Sequence, residues 1–251
     1  MESPHGAAVS AEDFGLEGPR GWAFRNVTFS AAPGELVAIE GPSGSGRTSL
    51  LLALTGRMRA TEGRAETGGL RLPRQAADVR RIAALGPVPS VSELDPAFTV
   101  AEHLGERTLL QGRYGASLRT LLRPRAERRA AAGARVDDAL EAAGLDLATL
   151  PKAGRTAVRD LERLEALRLS VALAMISTPR LLAVDDTDLK LPDAERDRAW
   201  SLLRSVADTG TTVLAVCSEA PGNTHVVRTA PAPAPTTDEE TADAHPEAGR
   251  A

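Results

Sequence analysis

The apolar run Leu36-Val37-Ala38-Ile39 is followed, one residue later, by Gly41-Pro42-Ser43-Gly44-Ser45-Gly46-Arg47-Thr48-Ser49 and then by Leu50-Leu51-Leu52-Ala53-Leu54. The first run reads as a buried strand and the last as a helix, so the glycine-rich stretch is the joint between them. It fits the pattern G-x-x-x-x-G-K-[ST] at every fixed position except the lysine, which is Arg47. In a strand–loop–helix context such a loop turns successive backbone N–H groups toward phosphate oxygens, and the helix points its positive end at the same anion. The candidate phosphate-site residues are therefore Gly41, Ser43, Gly44, Ser45, Gly46, Arg47, Thr48 and Ser49, with the Thr48 hydroxyl also placed for magnesium. The competing reading is a Gly/Ser-rich turn that only joins strand to helix.

Arg47 keeps the charge of the usual lysine but not its shape, since a planar guanidinium is larger and donates in a fork. Arginine replaces lysine almost everywhere in this chain: Lys152 and Lys190 are the two lysines among 30 Lys and Arg residues. Nucleotide binding is accordingly expected to survive more readily than hydrolysis.

A chain of 251 residues, 42% hydrophobic and 25% charged, suits one large α/β domain with a helical insert. A net charge of -4 and a pI near 5.7 give no overall attraction to nucleic acid, so no nucleic-acid partner is expected. The single cysteine, Cys217, lies in an apolar run and fits a buried thiol in a reducing compartment. No apolar run approaches the ~20 residues of a membrane span, and the start lacks the order of a signal peptide. The expected location is the cytoplasm, with any membrane role exerted through a partner.

Residues 1–12 read as a mobile start, 13–229 as the folded domain and 230–251 as a disordered Pro/Ala/Thr/Glu tail. Strands are expected at 24–29, 36–39 and, around the turn Gly68-Gly69, at 63–72. A further strand, 82–85, leads into a Pro-rich loop, and Thr99 with Glu102 forms a capping box for a helix from Val100. Residues 100–163 read mainly as helix, broken at Gly115, Pro124, Gly133, Gly144 and Pro151. Their arginines 119, 123, 125, 128 and 129 face either solvent or an anionic partner.

Asp160 is placed to cap a helix running to about Ser177, after which Leu181-Leu182-Ala183-Val184 forms a fully apolar strand ending at Asp185-Asp186. Carboxylates at a strand's C-terminal end lie where open α/β sheets bind ligands. Asp185 is the candidate magnesium residue and Asp186 the candidate catalytic one, beside the terminal phosphate; the competing reading is an acidic turn. A helix from 193 to 207 and strands at 212–217 and 224–228 complete the domain.

Taken together, residues 14–228 resemble the nucleotide-binding subunit of ATP-binding cassette (ABC) transporters. The resemblance rests on the loop from Gly41 to Thr48, the strands flanking it, the helical stretch and the run Pro179–Asp186. It implies an α/β P-loop NTPase with a RecA-like core, an antiparallel β subdomain and a helical subdomain at about 100–163. It also implies ATP and Mg2+ as cofactors, an integral membrane transporter subunit as partner, and a homo- or heterodimer of nucleotide-binding subunits at the inner face of the cell membrane. In the family an aromatic upstream of the loop stacks on adenine, and Trp22 is the candidate.

The departures share one direction. Where the signature L-S-G-G-Q should stand, the chain reads Leu161-Glu162-Arg163-Leu164-Glu165; the glutamate after the magnesium aspartate is the shorter Asp186. No glutamine lies in the lid segment 86–92, Ser218 takes the place of the switch histidine, and residues 187–192 keep no S-x-L-D turn. In the family each ATP lies between one subunit's loop and the other's signature, so both sites are weakened. The expectation is a transporter subunit that binds Mg-ATP with impaired hydrolysis. The alternatives are a non-hydrolytic regulatory or scaffold module and a P-loop small-molecule kinase, the latter disfavoured by the strands that precede the loop.

Overall fold

A computed structural model describes residues 5–19, 21–114, 124–187 and 191–230. In chain order its strands are β1 (Val9–Gly18), β2 (Gly21–Ala31), β3 (Leu36–Glu40), β4 (Glu62–Thr67), β5 (Leu70–Leu72), β6 (Ala83–Leu85), β7 (Leu181–Val184), β8 (Thr212–Cys217) and β9 (His225–Arg228). The helices are α1 (Arg47–Leu54), α2 (Ala76–Ile82), α3 (Val100–Tyr114), α4 (Arg125–Ala142), α5 (Arg163–Met175) and α6 (Asp193–Asp208). The strands form a parallel sheet of order β6-β7-β8-β3-β9 and an antiparallel sheet of order β2-β1-β4-β5.

Parallel strands covered on both faces read as unbroken apolar runs, and here successive residues serve opposite cores. Val37, Ile39, Leu181, Ala183, Leu214 and Val216 join one cluster with α1 and the antiparallel sheet. Leu36, Ala38, Leu182, Val184, Val213, Ala215 and Cys217 face α5 and α6 on the other side. The first cluster surrounds α1, whose Leu50, Leu51, Leu52, Ala53 and Leu54 are all buried. Each such leucine contributes about 1.5–3 kcal/mol of burial, so the helix behind the glycine loop is firmly seated. A third cluster, with Val100, Leu104, Ala139 and Leu169, joins α3 and α4 to α5 as the helical subdomain.

The β4–β5 hairpin turns on Gly68 and Gly69, with φ of 62° and 78°, the left-handed pair that a two-residue hairpin loop demands. The capping box at Thr99 is present: its N–H donates to Glu102 Oε2 at 2.7 Å and the Glu102 N–H donates to Thr99 Oγ1 at 3.3 Å.

Several boundaries differ from the sequence reading. The start of the chain is not loose from residue 5 onward: Ala7 is buried with its N–H on the Arg180 carbonyl, and β1 begins at Val9, pairs with β2 and β4, and buries Val9 and Ala11. The helix assigned to Asp160 is capped instead by Glu162; Asp160 lies in a short 3-10 turn before it. Ile82 ends α2 rather than starting β6, and Gly133 lies within α4 without breaking it. Residues 1–4, the tail from 231, Arg119, Arg123 and residues 188–190 lie outside the described residues.

Candidate functional site

The loop leaves β3 at the carboxyl edge of the parallel sheet, and its shape is fixed from both sides. Gly46 is the N-cap of α1 with φ 79°, and a Cβ there would stand 1.8 Å from the Ala23 carbonyl oxygen of β2. No L-residue with a side chain fits that approach. Being glycine, it leaves the first N–H groups of α1 without a side-chain cap, and these are the donors that no helical carbonyl satisfies. Gly44, with φ 80°, has nothing within 4 Å of a Cβ position and faces open space, as a backbone approached by a ligand must.

The remaining loop residues divide between scaffold and open face. Ser45 is fully buried and its hydroxyl lies 2.6 Å from that of Thr229, beyond β9. A Cβ on Gly41 would collide with both hydroxyls, so Gly41 and Ser45 fasten the base of the loop instead of presenting side chains to a ligand. Ser43 is exposed and Ser49 half-buried.

Thr48 and Asp185 meet. The Thr48 hydroxyl, in the first turn of α1, donates to Asp185 Oδ2 at 2.6 Å, although β8 separates β3 from β7 in the sheet. Asp185 is 2% exposed, and its N–H is held by the Pro87 carbonyl at 2.9 Å. Burial pushes its carboxyl above the ordinary value; the Thr48 hydrogen bond opposes this, and the neighbouring Asp186 reinforces it. Asp186 follows in a left-handed conformation, φ 51°, with its N–H donating to Asp185 Oδ1 at 2.9 Å. Thr187 then folds back, its N–H and hydroxyl both donating to the Val216 carbonyl of β8.

A magnesium ion suits this pair. Both atoms are hard oxygen donors, and Mg2+ commonly takes only one or two protein oxygens, completing its shell with water and phosphate. The buried carboxylate, poorly solvated and hydrogen-bonded by a hydroxyl and an N–H, gains from a cation.

Arg47 is turned toward β8, where its Nη1 donates to the Cys217 carbonyl at 2.5 Å. Ser218, in the place assigned to a switch histidine, is exposed at the turn that follows. The segment Leu161–Glu165 forms the start of α5 as a reciprocal capping box: the Glu162 side chain accepts from the Glu165 N–H and the Glu165 side chain accepts from the Glu162 N–H. A cavity of about 330 Å3 opens between that helix start, the loop after β6 and the acidic strand end, lined by Pro87, Leu94, Arg163, Leu167, Asp186 and Leu191 among others. Trp22 lies on β2 with the Arg25 guanidinium 4.4 Å above its ring, so one stacking face is already taken.

Sequence reasoning missed the Ser45–Thr229 and Arg47–Cys217 contacts. Neither has a local signal, since each depends on which parallel strands become neighbours. The Glu162 cap did have one, in the glutamate three residues later.

The ABC transporter family model matches residues 24–188. Nod factor export ATP-binding protein I of Paraburkholderia xenovorans is 31% identical over 192 residues, 75% of this chain and 55% of the relative. The protein of the same name in Cupriavidus metallidurans is 32% identical over 189 residues, again 75% of this chain and 55% of the relative. The chain thus spans about half the length of the curated relatives it matches. Among solved structures, the fold is similar to the ATP-binding cassette MJ0796, dimeric in a post-hydrolysis state with ADP and Pi. The TM-score is 0.63 at 22% identity, over 84% of this chain and 88% of that one. It is also similar to a bacterial Atm1-family ABC exporter with ATP bound, with TM-score 0.60 at 23% identity over 86% of this chain and 34% of that one. With more than half of its length inside the family match and an α/β P-loop architecture shared with these cassettes, the chain belongs to the ABC transporter family.

Proposed function

We propose that this chain is the ATP-binding subunit of a membrane transporter complex, taking Mg-ATP on the loop Gly41–Ser49 and hydrolysing it poorly. The observation that carries the reading is the 2.6 Å contact between Thr48 and Asp185, which brings the loop and the acidic strand end together. Thr48 and Asp185 would hold the metal, whose charge offsets that of the phosphates. The N–H groups at the start of α1, with Gly44 and Gly46, line the place for the polyphosphate, and Arg47 adds a positive charge beside it.

Two features support weak turnover. Asp186, the candidate catalytic carboxylate, is one methylene shorter than the glutamate of the family, and positioning supplies nearly all the catalysis in phosphoryl transfer. The start of α5, where the family places its signature, is filled by the carboxylates of Glu162 and Glu165. Negative charge there occupies donors that an anion from a second subunit would need. This favours, as the second reading, a cassette that binds ATP and regulates or scaffolds its partner without turnover. The kinase reading is weaker, since the antiparallel sheet ahead of the loop presses on Gly46.

No helix among the described residues is long and apolar enough to cross a membrane. Association with an integral membrane subunit at the inner face of the cell membrane, from the cytoplasm and as a homo- or heterodimer, is part of the same proposal. Its support is a set of exposed apolar side chains, Val91 and Phe98 between β6 and α3 and Leu109 and Leu110 on α3. Exposed leucines taken singly are ordinary, and the proposal is that these four side chains together serve as the interaction surface.

Titration with a fluorescent ATP analogue, with and without magnesium, tests the reading. Saturable, magnesium-enhanced binding is expected; no saturation at millimolar nucleotide would remove it.

A further inference from the structure

Arg47 stands where the loop pattern has a lysine, yet its guanidinium reaches beyond the loop, to a carbonyl 170 residues away in sequence. The register explains how. Glu40, the last residue of β3, pairs with Cys217, the last residue of β8, so the loop after β3 and the turn after β8 leave the sheet side by side. A lysine offers its donors from one nitrogen, and a carbonyl holding that nitrogen competes with any anion for it. A guanidinium carries five N–H donors on three nitrogens in a rigid plane. One nitrogen can hold a carbonyl while the others address a different group. Arg47 is also the residue directly before Thr48, whose hydroxyl reaches Asp185, so the side chain that holds the β8 turn starts from the loop's own helix end.

Resting on the reading that the loop takes a nucleoside triphosphate, we infer that Arg47 is a two-ended link: it keeps the Cys217 carbonyl while its remaining donors take the polyphosphate. Occupancy of the loop is then transmitted through one side chain to the turn that begins at Ser218. Arg47 is in this respect a positioning residue, and the exchange of lysine for arginine changes what the loop is connected to. The turn is restrained already in the ligand-free protein, and an anion pulling on the same rigid plane restrains it further.

Amide hydrogen exchange read by mass spectrometry over residues 217–224 tests the link, using the full chain, Arg47→Lys and Arg47→Gln, each with and without saturating Mg-ATP. Without nucleotide, Arg47→Gln is expected to exchange about twofold to tenfold faster than wild type in this turn, the equivalent of one net hydrogen bond, while Arg47→Lys, with no anion competing for its ammonium, lies between the two. Peptides of α1 and β7 serve as the folding control and should be unchanged. With nucleotide, wild type slows further at the turn, whereas Arg47→Lys, shown by titration to be loaded, does not. If the lysine variant does not load, the ligand-free comparison alone decides. Equal exchange in all three ligand-free proteins overturns the link, as does a turn that loosens in wild type on binding, because Arg47 would then have let go of Cys217. Slowing of the loaded lysine variant to the wild-type level overturns it as well. A wild type that takes up no nucleotide in the titration removes the nucleotide reading and the two-ended role together, and the titration separates that result from failure of the link alone.

Discussion

The hydroxyl of Thr48 donates to the carboxylate of Asp185 over 2.6 Å, joining the first turn of α1 to the end of β7 across an intervening strand. Thr48 and Asp185 would hold a magnesium ion here through their oxygens, and the ion would supply positive charge to the phosphates. Thr48→Ala is therefore expected to lower magnesium-dependent nucleotide affinity by about tenfold or more, the scale on which losing a partner at a metal site acts, while leaving metal-free binding within about twofold. Parallel titrations in magnesium and in chelator measure the two affinities. Equal losses in both would take Thr48 out of the metal's coordination.

Asp185 is a cost to the ligand-free fold. Its carboxyl is raised above the ordinary value mainly by burial. A raised folded value means that the native state binds the proton more tightly than the unfolded chain. The associated stability is complete below the ordinary Asp range and is lost as pH rises through the folded value. Asp185→Asn removes the buried charge and can keep its oxygen for the Asp186 N–H while its amide nitrogen donates to the Thr48 hydroxyl, so at neutral pH and without nucleotide it should melt a few degrees higher, by about 2–4 °C. The advantage should shrink as pH falls through the raised value. Melting curves across pH check the sign, and a variant less stable than wild type at neutral pH would contradict it.

Gly46→Ala places a methyl carbon 1.8 Å from the Ala23 carbonyl oxygen at φ 79°. The loop or β2 must then move. We expect a loss of about 1–3 kcal/mol in stability, the range for a strained backbone position, together with loss of nucleotide binding. Gly44→Ala, with open space at its Cβ, should cost less stability. Chemical denaturation of both variants gives the comparison.

Turnover is expected to be slow, because losing one positioned catalytic donor costs about 100-fold to 1000-fold. Asp186→Glu with Ser218→His restores two groups but leaves the acidic start of α5, so recovery should be partial. Adding Glu162→Ser to that pair should raise phosphate release further. A steady rate in wild type comparable to a competent cassette, abolished by Asp186→Asn, would show that these positions have been misjudged.

Phe98 and Leu109, proposed to meet the membrane partner, are 41% and 74% exposed. Phe98→Ser with Leu109→Ser is expected to reduce co-purification of that partner by about fivefold or more, on the scale of ~1 kcal/mol that an interface residue must exceed to matter. Arg125→Ala with Arg129→Ala should alter only the salt dependence. Equal recovery with all variants would move the docking surface elsewhere.

The site was legible in part, for identifiable reasons. Leu181–Val184 announces a central strand because it is covered on both faces, and the acids after it must then emerge at the sheet's edge. Thr48 follows from the loop pattern alone. The start of β1 was not legible. Its alternation is interrupted between Ala11 and Phe14, where the pairing register shifts and Asp13 takes φ 48°, so Val9 and Ala11 do not read as one strand with Phe14 and Leu16. Asp160 and Glu162 are both acidic residues before a helix, and the choice between them lay in Glu165, which answers only Glu162. The reach of Arg47 to Cys217 depends on β8 lying next to β3, which no local stretch encodes.

β8 lies between the strands that lead to Thr48 and Asp185 and acts as their spacer. Glu40 is level with Cys217 on one flank, and Val184 is level with Ala215 on the other. The Val216 carbonyl anchors Thr187 while the next carbonyl, of Cys217, anchors Arg47. The clearance between loop and aspartate is thus gauged by the backbone and packing of a hydrocarbon strand. Its side chains offer a way to shift the Thr48–Asp185 separation without touching either residue: a methyl gained or lost at Leu214 or Val216, buried in the same core cluster as the leucines of α1, changes the packing on which that separation rests.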